Sequence, residues 1–179
     1  MRHSTNWAPV IAGLTLVVPA AQVARAEIYL TEAQATAVLF PKIKLTPRFI
    51  DLSVSQCKTI ENASDEKVRD PHVRVWWGRK GQALFIDRVI GKHDFITYAV
   101  AVTADGNVKG IEIMDYRETY GGEVRRAEWR HQFVGKTVRD PLRLDHDIKN
   151  ISGATLSSAH VTAGVRRILA TYDLLRHQR

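Results

Sequence analysis

Ser152-Gly153-Ala154-Thr155, followed by Leu156-Ser157-Ser158, places hydroxyl groups where an irregular polar segment turns into a long periodic one. A helix that starts there presents unpaired backbone N–H groups and the positive end of its dipole, a combination that attracts phosphate. Gly153 and Ala154 carry almost no side chain, so a bulky ligand can lie against the backbone. Two roles are open to the Thr155 hydroxyl. It can cap the helix, the usual work of a Ser or Thr at such a position, or it can form an ester with that phosphate. From spacing alone the cap is favoured.

A second polar cluster precedes it. Glu118, Thr119 and Tyr120 follow an apolar, strand-like run and lead into Gly121-Gly122. Polar groups at the end of a sheet can point into a pocket, whereas an ordinary strand-to-loop exit needs only the backbone freedom of the glycines. Other chemistries find little support. None of the seven histidines forms a helical His-x-x-x-His or His-Glu-x-x-His pair. Gly-x-Ser-x-Gly is missing, and no Ser-His-Asp pattern can be assembled from spacing. Cys57 is the single cysteine, which excludes an internal disulfide, a cysteine-based metal site and c-type haem attachment. It reads as a small buried apolar residue.

The run Ser152 to Ser158 resembles the flavinylation motif of the FMN-binding domain family, which includes the G subunit of the Rnf electron-transport complex and the C subunit of the sodium-translocating NADH:quinone reductase. Two further segments carry the resemblance in the same order. Tyr116-Arg117-Glu118-Thr119-Tyr120-Gly121-Gly122 is similar to the family's Glu-Thr-x-Gly segment, and Trp129, Phe133, Gly135 and Lys136 keep its Trp…Phe-x-Gly-Lys spacing. Many members have an acidic residue three positions before the Ser of the motif. Lys149 stands there in this chain, with Asp145 and Asp147 nearby.

The resemblance implies FMN held covalently by a phosphoester to Thr155, attached from FAD by a separate periplasmic flavin transferase. It implies that Ser152 caps or shapes the loop, that Gly153 and Ala154 leave space for the phosphate, and that Ser157 and Ser158 add hydroxyl donors to it. Glu118, Thr119, Tyr120 and Gly121 then belong to the cofactor site, with Tyr120 against the flavin ring and Glu118 nearest to any proton transfer. Lys136 offers a charge for phosphate, although a Gly-Lys turn needs no such role. Trp129 and Phe133, four apart on one helix face, read as core. The function implied is an exported electron carrier, more an electron-transfer protein than a stand-alone catalyst, whose partner is a membrane-bound or haem-containing redox protein. The alternative is a non-catalytic module that binds a phosphate-containing ligand or nucleotide reversibly at the same helix start.

The elements that must position these residues form an α+β domain: an antiparallel β-meander with packed helices, and the flavinylation motif at the start of the C-terminal helix. Val73, Val75 and Trp77 alternate with polar residues. Ala83 to Ile90 and Phe95 to Thr103 read as strands, and Asp105-Gly106 marks a hairpin into Val108 to Met114. Glu123 to Phe133 looks helical. Val161, Val165, Ile168, Tyr172 and Leu175 form one stripe of a final helix over Ser157 to Leu175. Upstream, Thr31 to Gln34 is a capping box ahead of a short helix ending at Phe40-Pro41. Residues 42–70 show no sustained period, with room for a short strand near Phe49 to Val54.

The first residues read as an export signal. Arg2 and His3 precede an apolar run from Trp7 to Val23, and Ala24-Arg25-Ala26 fits a small-x-small cleavage site. Cleavage after Ala26 gives a periplasmic chain of 153 residues, one domain by length, with a helical part over 27–70 and a core over 71–179. The whole sequence carries a formal +7; without Arg2 and Arg25, 24 basic residues face 19 acidic ones. Outside the cell a basic face meets anionic lipid or an acidic redox partner rather than nucleic acid. The basic residues are nevertheless scattered among acids, as on any solvated surface.

Overall fold

The computed structural model describes residues 27–178, and the expected export signal lies outside them. Six strands, all antiparallel to their neighbours, make one sheet: β1 (Glu27–Ile28), β2 (Leu45–Asp51), β3 (His72–Gly78), β4 (Ala83–Ile90), β5 (Phe95–Val102) and β6 (Val108–Tyr116), in the order β1-β6-β5-β4-β3-β2. The helices are α1 (Glu32–Leu39), α2 (Val54–Ser64), α3 (Ala127–His131) and α4 (Thr155–Arg176), with a 3-10 turn at Gly122–Arg125. The expected α+β meander is the observed fold. Residues 27–70 are not only helical, because they also supply both edge strands.

Alternation along the strands sorts the core into two layers. One row across the sheet runs Val75↔Phe85↔Val100↔Ile111 and packs on the side of α4, whose Val161, Val165, Ile168, Tyr172 and Leu175 are all buried. The next row, Trp76↔Leu84↔Ala101↔Gly110, faces the other way, towards Ala35, Leu39 and Phe40 at α1. Gly110 keeps that layer thin, since a Cβ there would lie 3.1 Å from the Leu39 side chain. Trp77 is therefore core and Trp76 half-buried, on opposite faces. Cys57 is half-buried against the main layer rather than fully enclosed.

Two differences from expectation have physical reasons. The strand expected near Phe49 to Val54 is β2, earlier and longer. It is an edge strand, exposed along most of its length, and it tolerates Pro47; without a buried face it shows no alternation. The helix expected over Glu123 to Phe133 is broken at Arg126, which is extended (φ −61°, ψ 133°). Val124 and Trp129 both bury in the main core, yet on one continuous helix they would point about 140° apart. The break lets both face inward. Trp129 and Phe133 then meet edge-to-face at 5.0 Å, as core.

Two capping boxes, Thr31 with Gln34 and Ser53 with Gln56, start α1 and α2. Helix α4 crosses the sheet from the β4–β5 turn to the β5–β6 turn. At its start His160 Nδ1 faces the Ile90 and Gly91 carbonyls (2.6 and 3.2 Å), so it is the protonated nitrogen that donates. Near its end the Tyr172 hydroxyl lies 3.0–3.1 Å from the carbonyls of Gly81, Thr103 and Ala104. Its close approach to the sheet depends on Gly164, where a Cβ would fall 2.0 Å from the Tyr98 hydroxyl. That buried phenol donates to Asp87 (2.9 Å), which also accepts from Arg167 (2.6 Å). Among the described residues, no helix is long and apolar enough to cross a membrane.

Candidate flavin-binding site

In an antiparallel meander alternate strands leave at the same end. The exits of β4 and β6 are therefore neighbours, and α4 begins beside them. A cavity of about 570 Å³ opens at this end. Lys92 and His93 line it from the β4–β5 turn, Glu118, Thr119 and Tyr120 from the exit of β6, and Gly153 to Ser157 from the start of α4. The two polar clusters of the sequence thus share one pocket, although more than thirty residues separate them.

Thr155 is the first residue of α4; it is exposed and lines the cavity. Ala154 holds the N-cap position and provides no side-chain cap. The N–H groups of Thr155, Leu156 and Ser157 consequently find no acceptor among the described residues, while Ser158 N–H bonds the Ala154 carbonyl at 2.9 Å. A helix of 22 residues that ends in free donors, with a +84° φ at Gly153 and open space where its Cβ would be, is a cradle for an anion. Ser152 is exposed and does not cap α4, so of the two roles expected for it, capping the helix or shaping the loop, capping is not seen.

Ser157 and Ser158 also depart from expectation. Tyr116 Oη donates to the Tyr120 carbonyl (2.5 Å) and lies 3.1 Å from Ser157 Oγ, so the single Ser157 proton is drawn to Tyr116. Burial pushes the Tyr116 phenol above the ordinary tyrosine value despite the Ser157 hydrogen bond, which keeps it a donor. Ser158 is fully buried and turns back onto Ala154 O (2.8 Å) and Asn150 Oδ1 (3.1 Å). Neither hydroxyl is a free donor to a phosphate; both hold the walls together.

Gly121 is buried beneath the cavity wall. A Cβ on it would stand 2.6 Å from Tyr116 Oη and 3.3 Å from both Ala154 Cβ and Ser157 Oγ, and its φ is +91°. Only glycine lets this loop lie against the start of α4. Gly91 does the same for Glu118, whose Oε1 would be 2.5 Å from a Cβ there.

Glu118 is half-buried and accepts from the N–H groups of His93 (2.5 Å) and Asp94 (3.0 Å). Partial burial raises its carboxyl, but the N–H groups of Asp94, His93 and Lys92 outweigh that and hold it below the ordinary range. It stays ionised at neutral pH and clasps the turn that carries Lys92. Thr119 and Tyr120 are exposed on the rim, Tyr120 by 82%.

Lys136 does not line this cavity. It pairs with Asp147 at 2.9 Å, and Asp147 also accepts from the N–H groups of Leu142 (3.1 Å) and Arg143 (2.8 Å). Burial raises the Asp147 carboxyl, and these donors together with Lys136 bring it below the ordinary range. Asp147 is therefore committed to the loop before the motif and does not stand in for an acid at position 149. Lys149 is exposed, and its backbone is fixed by Gln132 (2.8 Å) and Trp129 Nε1 (2.9 Å).

Lys92 and His93 were not marked by the sequence, where they read as turn residues. Their signal is a lysine beside a histidine in a tight turn, and only strand pairing brings them to the cavity that Thr155 lines. Among the described residues no cluster of His, Cys, Asp and Glu could hold a metal ion. The donor set suits a phosphate-bearing group instead: free helix N–H groups, one lysine and a hydroxyl, beside a Glu118 carboxylate whose Oε1 already accepts from backbone N–H groups.

Comparison with known proteins agrees with this geometry. The family model of the FMN-binding domain matches residues 91–170, the segment that contains all three walls of the cavity. The G subunit of the Na(+)-translocating ferredoxin:NAD(+) oxidoreductase complex of Acetobacterium woodii is 32% identical over 149 residues, covering 74% of this chain and 72% of that protein. The G subunit of the ion-translocating oxidoreductase complex of Pseudomonas aeruginosa is 29% identical over 94 residues (46% and 44%). The C subunit of the Na(+)-translocating NADH-quinone reductase of Vibrio vulnificus is 41% identical over 76 residues, 33% of this chain; the match spans only 30% of that protein. With its cavity built from the matched segment and an extended relative aligned along most of its length, the chain belongs to the FMN-binding domain family.

Proposed function

We propose that this protein is an exported electron carrier with FMN linked through its phosphate to Thr155. The observation that carries the proposal is exposed Thr155 at the uncapped start of α4, lining a cavity large enough for a ring system. In the attachment step Thr155 Oγ bonds to the FMN-side phosphorus of FAD, the phosphoanhydride breaks, AMP leaves, and the hydroxyl proton passes to the transferase or water. No atom changes oxidation state in that exchange. The free N–H groups of α4 and the Lys92 ammonium then stabilise the phosphate charge, while Tyr120 and Leu156 offer apolar surface at the rim.

Bound FMN supplies the redox chemistry by accepting and releasing electrons. The chain attaches it, orients it and sets its electrostatic surroundings. Glu118, already ionised and bonded to backbone, is not needed as an acid for electron transfer. The relatives are components of ion-translocating oxidoreductase complexes by name, which supports a membrane-bound redox protein as the partner; a haem-containing one is the other partner class expected from the sequence. The export signal expected over residues 1–26 supports a periplasmic location, where a covalent tether prevents loss of a cofactor that cannot be replaced from the cytoplasm.

Intact mass of the protein produced with and without a co-expressed flavin transferase, beside Thr155→Val, tests the proposal. A gain of one FMN minus water in the wild type with transferase, missing in the variant, is the expected result. No gain in any sample, and no yellow colour after denaturation, would overturn it. Reversible binding at the same helix start would then lead, with Lys149 in the usual place of an acid as the feature that favours it.

A further inference from the structure

Asn150 lies two residues before the motif, outside the cavity lining, and its carboxamide is held from both ends. Its Oδ1 accepts the Ile151 N–H at 2.8 Å and lies 3.1 Å from the hydroxyl of fully buried Ser158. Exchanging the amide ends would set Nδ2 against the Ile151 N–H, two donors face to face, so the orientation is determined by its neighbours. Nδ2 must then point to Thr155 Oγ1, 3.5 Å away. We propose that Asn150 is the positioning residue for Thr155: its N–H occupies one lone pair of the hydroxyl and turns the hydroxyl proton towards the cavity, where attachment removes it.

This inference rests on covalent attachment at Thr155. It adds an account of how a chain with Lys149 in the acid's usual place prepares its acceptor. Lys149 is exposed, and its backbone is tied down by Gln132 and Trp129. A neutral amide suits the task because the contact persists as the site becomes anionic. A carboxylate at the same place could still accept from Ile151 and Ser158 and would suit the positive helix end. It could not donate to Thr155, and it would repel the incoming phosphate.

Asn150→Asp therefore separates positioning from structure. The full-length protein, purified flavin transferase and FAD are combined, and the mass gain is followed in time for wild type, Asn150→Asp, Asn150→Ala and Thr155→Val, with a thermal melt of each unmodified protein. Asn150→Asp is expected to melt at or above the wild type, yet gain FMN about tenfold more slowly at saturating FAD and transferase, the rate equivalent of one lost hydrogen bond. Asn150→Ala is expected to lose both stability and rate. Attachment to Asn150→Asp at the wild-type rate would overturn the inference while leaving covalent attachment intact. A slowed Asn150→Asp that also melts lower would overturn it in favour of a purely structural role. A wild type that gains no mass removes both.

Discussion

Replacing Gly121 by alanine puts a methyl group into the narrowest contact beneath the cavity. The new Cβ would stand 2.6 Å from Tyr116 Oη, whose hydroxyl binds the Tyr120 carbonyl, and 3.3 Å from Ala154 Cβ at the start of α4. Two costs add. A residue with a Cβ in left-handed backbone costs about 1–2 kcal/mol, and overpacking of a filled contact costs about 1–3 kcal/mol. Gly121→Ala is therefore expected to destabilise the protein by about 3 kcal/mol, or about 6–12 °C in Tm for a chain of this size. Gly153→Ala shares the positive φ (+84°) but meets nothing within 4 Å, so only the backbone cost of about 1 kcal/mol remains. Gly122→Ala has neither burden and should fall within about 0.5 kcal/mol of the wild type. Urea and thermal unfolding of the unmodified protein measure all three. The order Gly121 worst, Gly153 intermediate and Gly122 neutral is the test. If Gly121→Ala unfolds with Gly122→Ala, the 119–121 loop does not lie against α4 and the proposed cavity wall is wrong.

Other expectations concern the clasp at Glu118 and the seat of α4. The Glu118 carboxyl lies below the ordinary glutamate value of 4.5, so its contribution is fully present above that value and is lost as pH falls through the lowered folded one. Wild type should accordingly exceed Glu118→Gln in stability near neutral pH, with the gap closing as melts are taken from about pH 5 to about pH 3; a gap that stays constant would show that the carboxylate charge contributes nothing. Gly164→Ala should cost at least about 3 kcal/mol, because its Cβ would lie 2.0 Å from a phenol buried under α4. Tyr98→Phe, which removes that oxygen, should recover part of the loss in the double variant, and strictly additive effects in unfolding experiments would contradict this packing.

Particular residues show what could be read before folding. The α4 stripe from Val161 to Leu175 is legible because one apolar face at helical period is what a sheet-packed helix requires. The Asp105-Gly106 hairpin is legible because Gly106 takes a φ of +88° that few other residues accept. Strand β2 was harder to see, since an edge strand with exposed faces needs no alternation. The break at Arg126 was hidden because local pattern cannot say that Val124 and Trp129 must enter the same core.

The sequence by itself determined the chemistry on offer: a threonine behind glycine and alanine at a helix start, in a motif order that marks an FMN-binding domain. Only the tertiary structure decided which groups surround that threonine. Strand pairing carried Lys92 and His93 to its cavity, and backbone donors turned Glu118 into a clasp. Tyr116 and Asn150 engage the two serines that the motif offers to a phosphate. The physical reason is that spacing along a chain fixes which side chains share an element. Hydrogen-bond allocation across elements depends on distances that exist only once the sheet and α4 have packed.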